Sequence, residues 1–296
     1  MRKLLISITV LLVAGMSLSS CLKEAKVEDP GFDVNETGTN ATTLLEIPLD
    51  VYLQADRAIR FQRDSIILKN INQQTPFTFK IGYITLTVSP ADTITYPKTI
   101  VLDFGSDTTK PYKGKMTINM DGNMRVSGSK CAITYQGLVS NGSSISGNDL
   151  IVSAGKNASS TIESHFIMQG GELKGYKGEK ITYSGNIISK FNLTSKINVL
   201  DSVLLNATDA NLNIYKLSSV KNYKLQVAKD CNYFNQGVIN TDINAKGILA
   251  GTMIFDYGYS SQGYPNTCDF DGALYFTSKI NLNYKKTFNF YAKEFK

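Results

Sequence analysis

A chain of 296 residues, 42% of them hydrophobic, can bury a sizeable core as one large or two small domains. Its 31 basic residues barely outweigh 25 acidic ones. They form no Lys/Arg-rich block and are not interleaved with aromatics, so electrostatics give no case for a nucleic-acid partner. A single histidine and four scattered cysteines exclude a closely spaced ligand set for zinc.

The chain opens with Arg2 and Lys3, an apolar run over residues 4–13, and the small residues Ala14, Gly15, Ser17, Ser19 and Ser20. This is the three-part layout of a secretory signal peptide. The run is too short to span a bilayer, which takes roughly 20 apolar residues. Leu18-Ser19-Ser20-Cys21 resembles the bacterial lipobox. The resemblance implies cleavage before Cys21, acylation of that cysteine by palmitate-type chains, and a membrane partner reached through the lipid. Each buried methylene contributes about 0.8 kcal/mol, so two or three acyl chains hold firmly where one does not. The expected location is the outer membrane, facing the periplasm or the cell surface. Without residues 1–20 the chain keeps 29 basic against 25 acidic residues, a net charge of +4.

Residues 21–41 read as a flexible tether: polar, without an apolar period, and carrying Pro30, Gly31 and Gly38. Residues 42–69 hold the one helical pattern, with Leu44, Leu45, Leu49, Leu53, Ala58 and Ile59 on one face and Arg57, Arg60, Gln62 and Arg63 on much of the other. Because Pro48 breaks a helix interior, the pattern predicts a helix over about 49–64. Packing on a core is the expected fate of its apolar face; lying on a membrane surface is the alternative.

From residue 77 the period becomes two. Alternating runs such as KIGYITLTV (80–88), TIVLDF (99–104) and KMTINM (115–120) recur to the end of the chain, separated by Asp121-Gly122, Asn141-Gly142, Gly147-Asn148 and Gly170-Gly171. Tyrosine, Asn, Ser, Thr and Gly are plentiful, which suits strands joined by polar turns. The expected class is mainly β: an antiparallel sandwich-like or extended sheet after one helix. An internal echo divides it. Thr99-Ile-Val-Leu-Asp103-Phe-Gly105 matches Thr252-Met-Ile-Phe-Asp256-Tyr-Gly258, and each copy continues as polar loop, glycine, strand. Two similar β modules follow, 42–195 with the helix and 196–296. Asp103 and Asp256 are expected to accept backbone N–H bonds from the loop ahead, with Gly105 and Gly258 free to take positive φ.

Once Cys21 is lipidated, Cys131, Cys231 and Cys268 remain, enough for one pair and a spare; three buried thiols are the alternative. The segment from Thr99 to Gly147, and the later one from Cys231 through Phe255-Asp-Tyr-Gly258 to Cys268-Asp269, resemble a family of uncharacterised Bacteroidetes lipoproteins with duplicated Asp-Phe/Tyr-Gly strand units. The likeness spans roughly residues 80–290, and Tyr257 and the longer loop 259–267 depart from the pattern. It implies a Cys231–Cys268 disulfide and a shared architecture and location, but no activity. Asp64-Ser65-Ile66, Asp92-Thr93-Ile94, Asp107-Thr108-Thr109 and Asp201-Ser202-Val203 also resemble the glycan-attachment motif of the same bacteria.

No catalytic constellation is legible. His165 sits in a strand-like run, reads as a half-exposed strand residue, and no Gly-x-Ser-x-Gly marks a nucleophile for it. Asp269-Phe-Asp271-Gly272 has the look of a calcium-loop fragment but lacks the closing glutamate, so neither metal nor cofactor is expected. The sequence favours a non-catalytic surface or periplasmic binding protein, with carbohydrate as the ligand and Tyr112, Tyr259 and Tyr264, in loops 106–113 and 259–267, as its contacts. An envelope protein is the other expected partner. The alternatives are a fimbrial or adhesin subunit, exchanging the C-terminal run KTFNFYAKEFK, and a hydrolase with two carboxylates in a cleft, drawn from residues such as Glu163, Glu172 and Glu179.

Overall fold

The period-two pattern folds as one antiparallel meander. The computed structural model describes residues 34–140, 142–174, 178, 180–229, 231, 234–244, 251–258, 271–278 and 283–289. All of these except Val34 belong to one unit, Asn35–Lys296. A helix, α1 (Val34–Leu68), precedes β1 (Phe77–Ile81), β2 (Ile84–Ser89), β3 (Lys98–Asp103), β4 (Tyr112–Met120), β5 (Lys130–Ser140), β6 (Ser143–Lys156), β7 (Thr161–Lys174) and β8 (Lys180–Asn192). The meander goes on through β9 (Asn198–Thr208), β10 (Ile214–Ser219), β11 (Leu225–Val227), β12 (Val238–Asn244), β13 (Gly251–Asp256), β14 (Asp271–Ser278) and β15 (Asn283–Asn289). Each strand pairs with its neighbours in sequence, except that β10 pairs directly with β12 while β11 pairs back onto β9. The chain is thus mainly β, an extended antiparallel sheet after one helix.

Alternation fixes which face is buried. Ile84, Leu86 and Val88 of β2, Ile100 and Leu102 of β3, and Met116, Ile118 and Met120 of β4 all point inward, and their intervening neighbours are half-buried or exposed. What they point at is α1. Nearly every position from Asn40 to Ala55 is buried, polar ones included, so the helix is covered all round. At 100° per residue, Asp50 and Tyr52 face directions about 200° apart. Asp50 meets Tyr112 of β4 and Ser140 of β5, whereas Tyr52 packs on Phe166 of β7 and accepts from Asn198 of β9. The sheet therefore curls around the helix, reaching it from opposite sides. Phe61 on Phe79 of β1 adds contact from the first strand.

Two expectations need correction. The helix starts at Val34, not near residue 49, so residues 34–41 are helical and not tether; residues 21–33 lie outside those described. Pro48 sits inside it. Proline in a helix interior costs about 3 kcal/mol, but Leu44, Leu45, Ile47 and Leu49 around it are all fully buried, and each such side chain contributes about 1.5–3 kcal/mol. The run KIGYITLTV is not one strand: Gly82 adopts φ 58° and turns the chain between Ile81 and Ile84, which face each other across a two-residue hairpin loop. Near residue 195, where the two modules are expected to meet, β8 and β9 are hydrogen-bonded neighbours in the one sheet.

The helix ends on a defined stop. Asn70 takes the left-handed conformation at φ 50°, its N–H bonds to the Ile67 carbonyl, and Ile71 N–H bonds to the Ile66 carbonyl at 3.0 Å. That pair of bonds is the Schellman pattern, with asparagine in place of glycine.

Candidate functional site

Antiparallel order gathers the ends of β2, β4, β6 and β8 at one rim of the sheet, and the C-terminal third of α1 meets that rim. The loops there are stapled by their own side chains. Asp92 accepts from the N–H groups of Ile94 and Thr95 at 2.8 and 2.6 Å, and the Lys98 ammonium, 1% exposed, donates to the Pro90 and Asp92 carbonyls at 2.7 Å each. In the loop 121–129, Asn123 accepts from Arg125 N–H, and Ser153 of β6 donates to the Met124 carbonyl. Asn192 accepts from Thr194 and Ser195 N–H at 2.9 Å each. Such bonds fix short polar loops without secondary structure.

Between these loops and the helix lies a pocket of about 140 Å³, room for about five waters at roughly 30 Å³ apiece. Its apolar wall is Ile59, Met120, Met124, Ile162, Phe191 and Leu193; its charged lining is Arg60, Arg63, Arg125 and Lys196, with Asp64 the one acid among the described residues. Arg60 is already engaged: it pairs with Asp56 at 2.5 Å and lies 3.9 Å over the Phe191 ring. Arg63 is not matched in that way. Burial lowers its hold on the proton, and the charge of Arg125 lowers it further, while Tyr96 and Asp64 oppose the change only in part. Two arginines that repel each other in a partly dry pocket mark an excess of positive charge.

Two buried polar atoms in the lining have no hydrogen-bond partner, the Nε of Arg63 and the Oε1 of Gln62. Gln62 is 3% exposed, and its Nε2 donates to the Ile59 carbonyl at 3.1 Å. An unmatched buried polar group costs about 1–3 kcal/mol. Both atoms are closed to solvent, on residues whose other atoms line the pocket. The sequence placed Arg60, Gln62 and Arg63 on the polar face of the helix but gave no reason to join them to Arg125 and Lys196, which come from turns far along the chain.

The residues singled out in sequence lie elsewhere. Tyr112 is not a loop contact: it is the first residue of β4, 3% exposed, and its hydroxyl donates to Asp50 at 2.5 Å. Burial and the neighbouring Asp50 carboxylate push that phenol well above its ordinary range. Tyr259 and Tyr264 lie outside the described residues. Gly105 N–H donates to Asp103 at the rim opposite the pocket, and Gly258 N–H donates to Asp256 on the pocket's side of the sheet, both at 2.9 Å. The aromatic residue inside each unit, Phe104 or Tyr257, is buried against a ring from a neighbouring segment, Tyr112 or Phe234. Only Gly105 takes positive φ, at 72°. Gly258 does not, so the two copies differ in backbone at this glycine.

Cys231 is disulfide-bonded, and Cys131 is a free, buried thiol. Cys268 and Cys21 lie outside the described residues, as do Glu179 and half of the calcium-like fragment, Asp269 and Phe270. His165, half-exposed on the outer face, sits 3.4 Å from Glu163, which also approaches Lys190 at 3.6 Å. Glu172 pairs with Lys180. Among the described residues no group of His, Cys, Asp and Glu is arranged to hold a metal ion.

A second polar cluster lies inside the sheet. Tyr135 of β5 donates to Asp149 of β6, whose other carboxylate oxygen is buried without a partner. Burial raises the Asp149 carboxyl to about 6, against the pull of the Tyr135 bond. Tyr183 of β8 stands near, its phenol pushed up by burial and by Asp149. No family model, curated protein or solved structure matches the chain.

Proposed function

We propose that this chain is a lipid-anchored, non-catalytic binding protein of the outer membrane, and that its ligand enters the pocket at the end of α1. The lipobox-like Leu18-Ser19-Ser20-Cys21 supports the anchor. The single observation that supports the binding role is the rim pocket itself, where the helix and the stapled loops bring four cations beside an apolar wall. Rigid elements around a concave site with a few convergent polar groups are what small-ligand recognition needs. Catalysis gains no comparable support, since the lining offers one carboxylate, Asp64, and no second to share acid–base work. Carbohydrate is the ligand class that the reading favours, bound at this rim and not through Tyr112.

The test is calorimetric titration of the purified protein with neutral sugars and sugar acids, repeated on a Leu193→Trp variant that fills the pocket. Binding lost in the variant, with its melting temperature unchanged, supports the reading. Binding unchanged by the bulky side chain refutes the assignment to this pocket. Failure of radiolabelled palmitate to join the chain, or its joining a Cys21→Ser chain equally, refutes the anchor.

A further inference from the structure

A second concavity lies on the outer face of the sheet. β10 and β12 are hydrogen-bonded neighbours, yet the chain spends residues 220–237 passing from one to the other, against five residues or fewer in each of the five joins before it. Long excursions inside a compact fold are usually functional. This one turns at Val220–Tyr223, lays β11 back along β9, and returns so that Gln226 N–H donates to the Gln236 carbonyl at 3.0 Å and Val238 N–H to the Tyr223 carbonyl at 2.8 Å. Gly237, at φ 118°, permits the return, since an added Cβ would stand 2.6 Å from the Leu225 Cα. Val199, Gln226 and Asp256 alternate with buried neighbours and so face outward. Around them the excursion and the end of β13 enclose a groove of about 470 Å³, within the ~300–1,000 Å³ usual for small-molecule sites. It shares no lining residue with the pocket at the end of α1.

The lining is polar and its charges cancel. Lys224 pairs with Asp201, and Lys221 is matched in number by Asp256. Gln236 Nε2 donates to Gln226 Oε1 at 2.9 Å, which sets both amides and leaves Gln226 Nε2 as a donor and Gln236 Oε1 as an acceptor. Asp256 spends one oxygen on Gly258 N–H and keeps the other. None of these three atoms is among the buried polar atoms that lack a partner, so all three reach solvent. Tyr223, 62% exposed, adds a bare aromatic ring to the same lining. We infer that this groove binds one unit of a neutral glycan. The apolar C–H face of the sugar lies on the Tyr223 ring. Its hydroxyls donate to Gln236 Oε1 and to Asp256, and one accepts from Gln226 Nε2. A nucleotide would bring phosphate to a lining whose charges already cancel, and a hydrocarbon would strip water from the amides and the carboxylate without replacing its bonds. The site does not depend on the pocket at the end of α1 being occupied.

The experiment is calorimetric titration of the purified protein with cellobiose, lactose and N,N′-diacetylchitobiose, and with uridine as a flat neutral ligand that is not a glycan. Tyr223→Ala, Tyr223→Phe and Val199→Trp, which fills the groove from the sheet, are run beside the parent and Leu193→Trp, each checked for an unchanged melting temperature. The expected result is binding of at least one disaccharide, weakened tenfold or more in Tyr223→Ala, kept in Tyr223→Phe, lost in Val199→Trp and kept in Leu193→Trp. Higher salt should leave it unchanged, because no ion pair forms with the ligand. If the pocket at the end of α1 binds as well, the parent shows two sites and each filling variant removes one of them. Disaccharide binding that survives Tyr223→Ala and Val199→Trp but is lost in Leu193→Trp would overturn this inference and leave that pocket standing. Uridine bound as tightly as the best disaccharide, or no disaccharide bound at all, would also overturn it. Should Val199→Trp fail to fold, the exposed Tyr223→Ala decides alone.

Discussion

Replacing Asp149 with asparagine isolates the energetic cost of one buried carboxylate. The group is 4% exposed, accepts one bond from Tyr135, and has an oxygen with no partner. Its folded value of about 6 stands above the ordinary 3.8, a gap worth about 3 kcal/mol. The folded state therefore binds this proton more tightly than the unfolded chain does. That contribution to stability is whole below about pH 3.8 and is lost as the pH rises through about 6. Asparagine cannot ionise, so the variant should lack this loss. Its amide does place N–H groups where the unpaired oxygen stood, at a cost of about 1–3 kcal/mol that does not vary with pH. The informative quantity is thus the difference in unfolding free energy between variant and parent, measured by urea denaturation from pH 3.5 to 8. It should shift in favour of the variant by about 2.5 kcal/mol between pH 4 and 7, whatever its absolute sign. A difference that stays flat over that range would refute the reasoning.

Gly171 leaves no room for a side chain, because an added Cβ would stand 2.2 Å from the Tyr183 ring. Gly171→Ala should cost about 3 kcal/mol or more in chemical denaturation, whereas Gly258→Ala, whose nearest contact is at 3.4 Å, should be close to neutral. Tyr112→Phe strips a short bond from the buried Asp50 carboxylate and should cost about 1.5–3 kcal/mol by the same measurement. Lys98→Met leaves the Pro90 and Asp92 carbonyls without their shared donor. It should cost about 3 kcal/mol and speed amide exchange in residues 91–96, which a mass-spectrometric exchange experiment would resolve.

Local pattern carried the sheet well and the helix poorly. Alternation in TIVLDF and KMTINM put Ile100, Leu102, Met116 and Ile118 on the buried face, because a strand's period is a geometric constant that one face of burial leaves visible. The helix was read as too short because Pro48 dominates a local rule, while the burial that overrides it comes from strands dozens of residues away. Its all-round coverage explains why the apolar spacing looked irregular: a helix enclosed on every side has no polar face to keep in phase. Asp103 and Asp256 were legible because their partners lie two residues on. The pocket was not, since Arg63, Arg125 and Lys196 meet only after the sheet has curled, and nothing in their own neighbourhoods announces it. Tyr112 misled for the opposite reason: position near a polar loop says little about which side of a strand a ring takes.

The order of elements along the chain has a consequence for how the molecule assembles. Almost every strand bonds to the one made just before it, so the sheet grows by closing short loops, an inexpensive step. The axial helix comes before all of them yet finds its partners 58 residues on at Tyr112 and 146 residues on at Asn198. It acts as a mandrel that must be present while hairpins are laid around it one after another. A ribbon built without it would leave a long concave strip of Leu, Ile and Phe facing water. A separate peptide of residues 34–68 offered to such a ribbon would find a seat already cut to its shape.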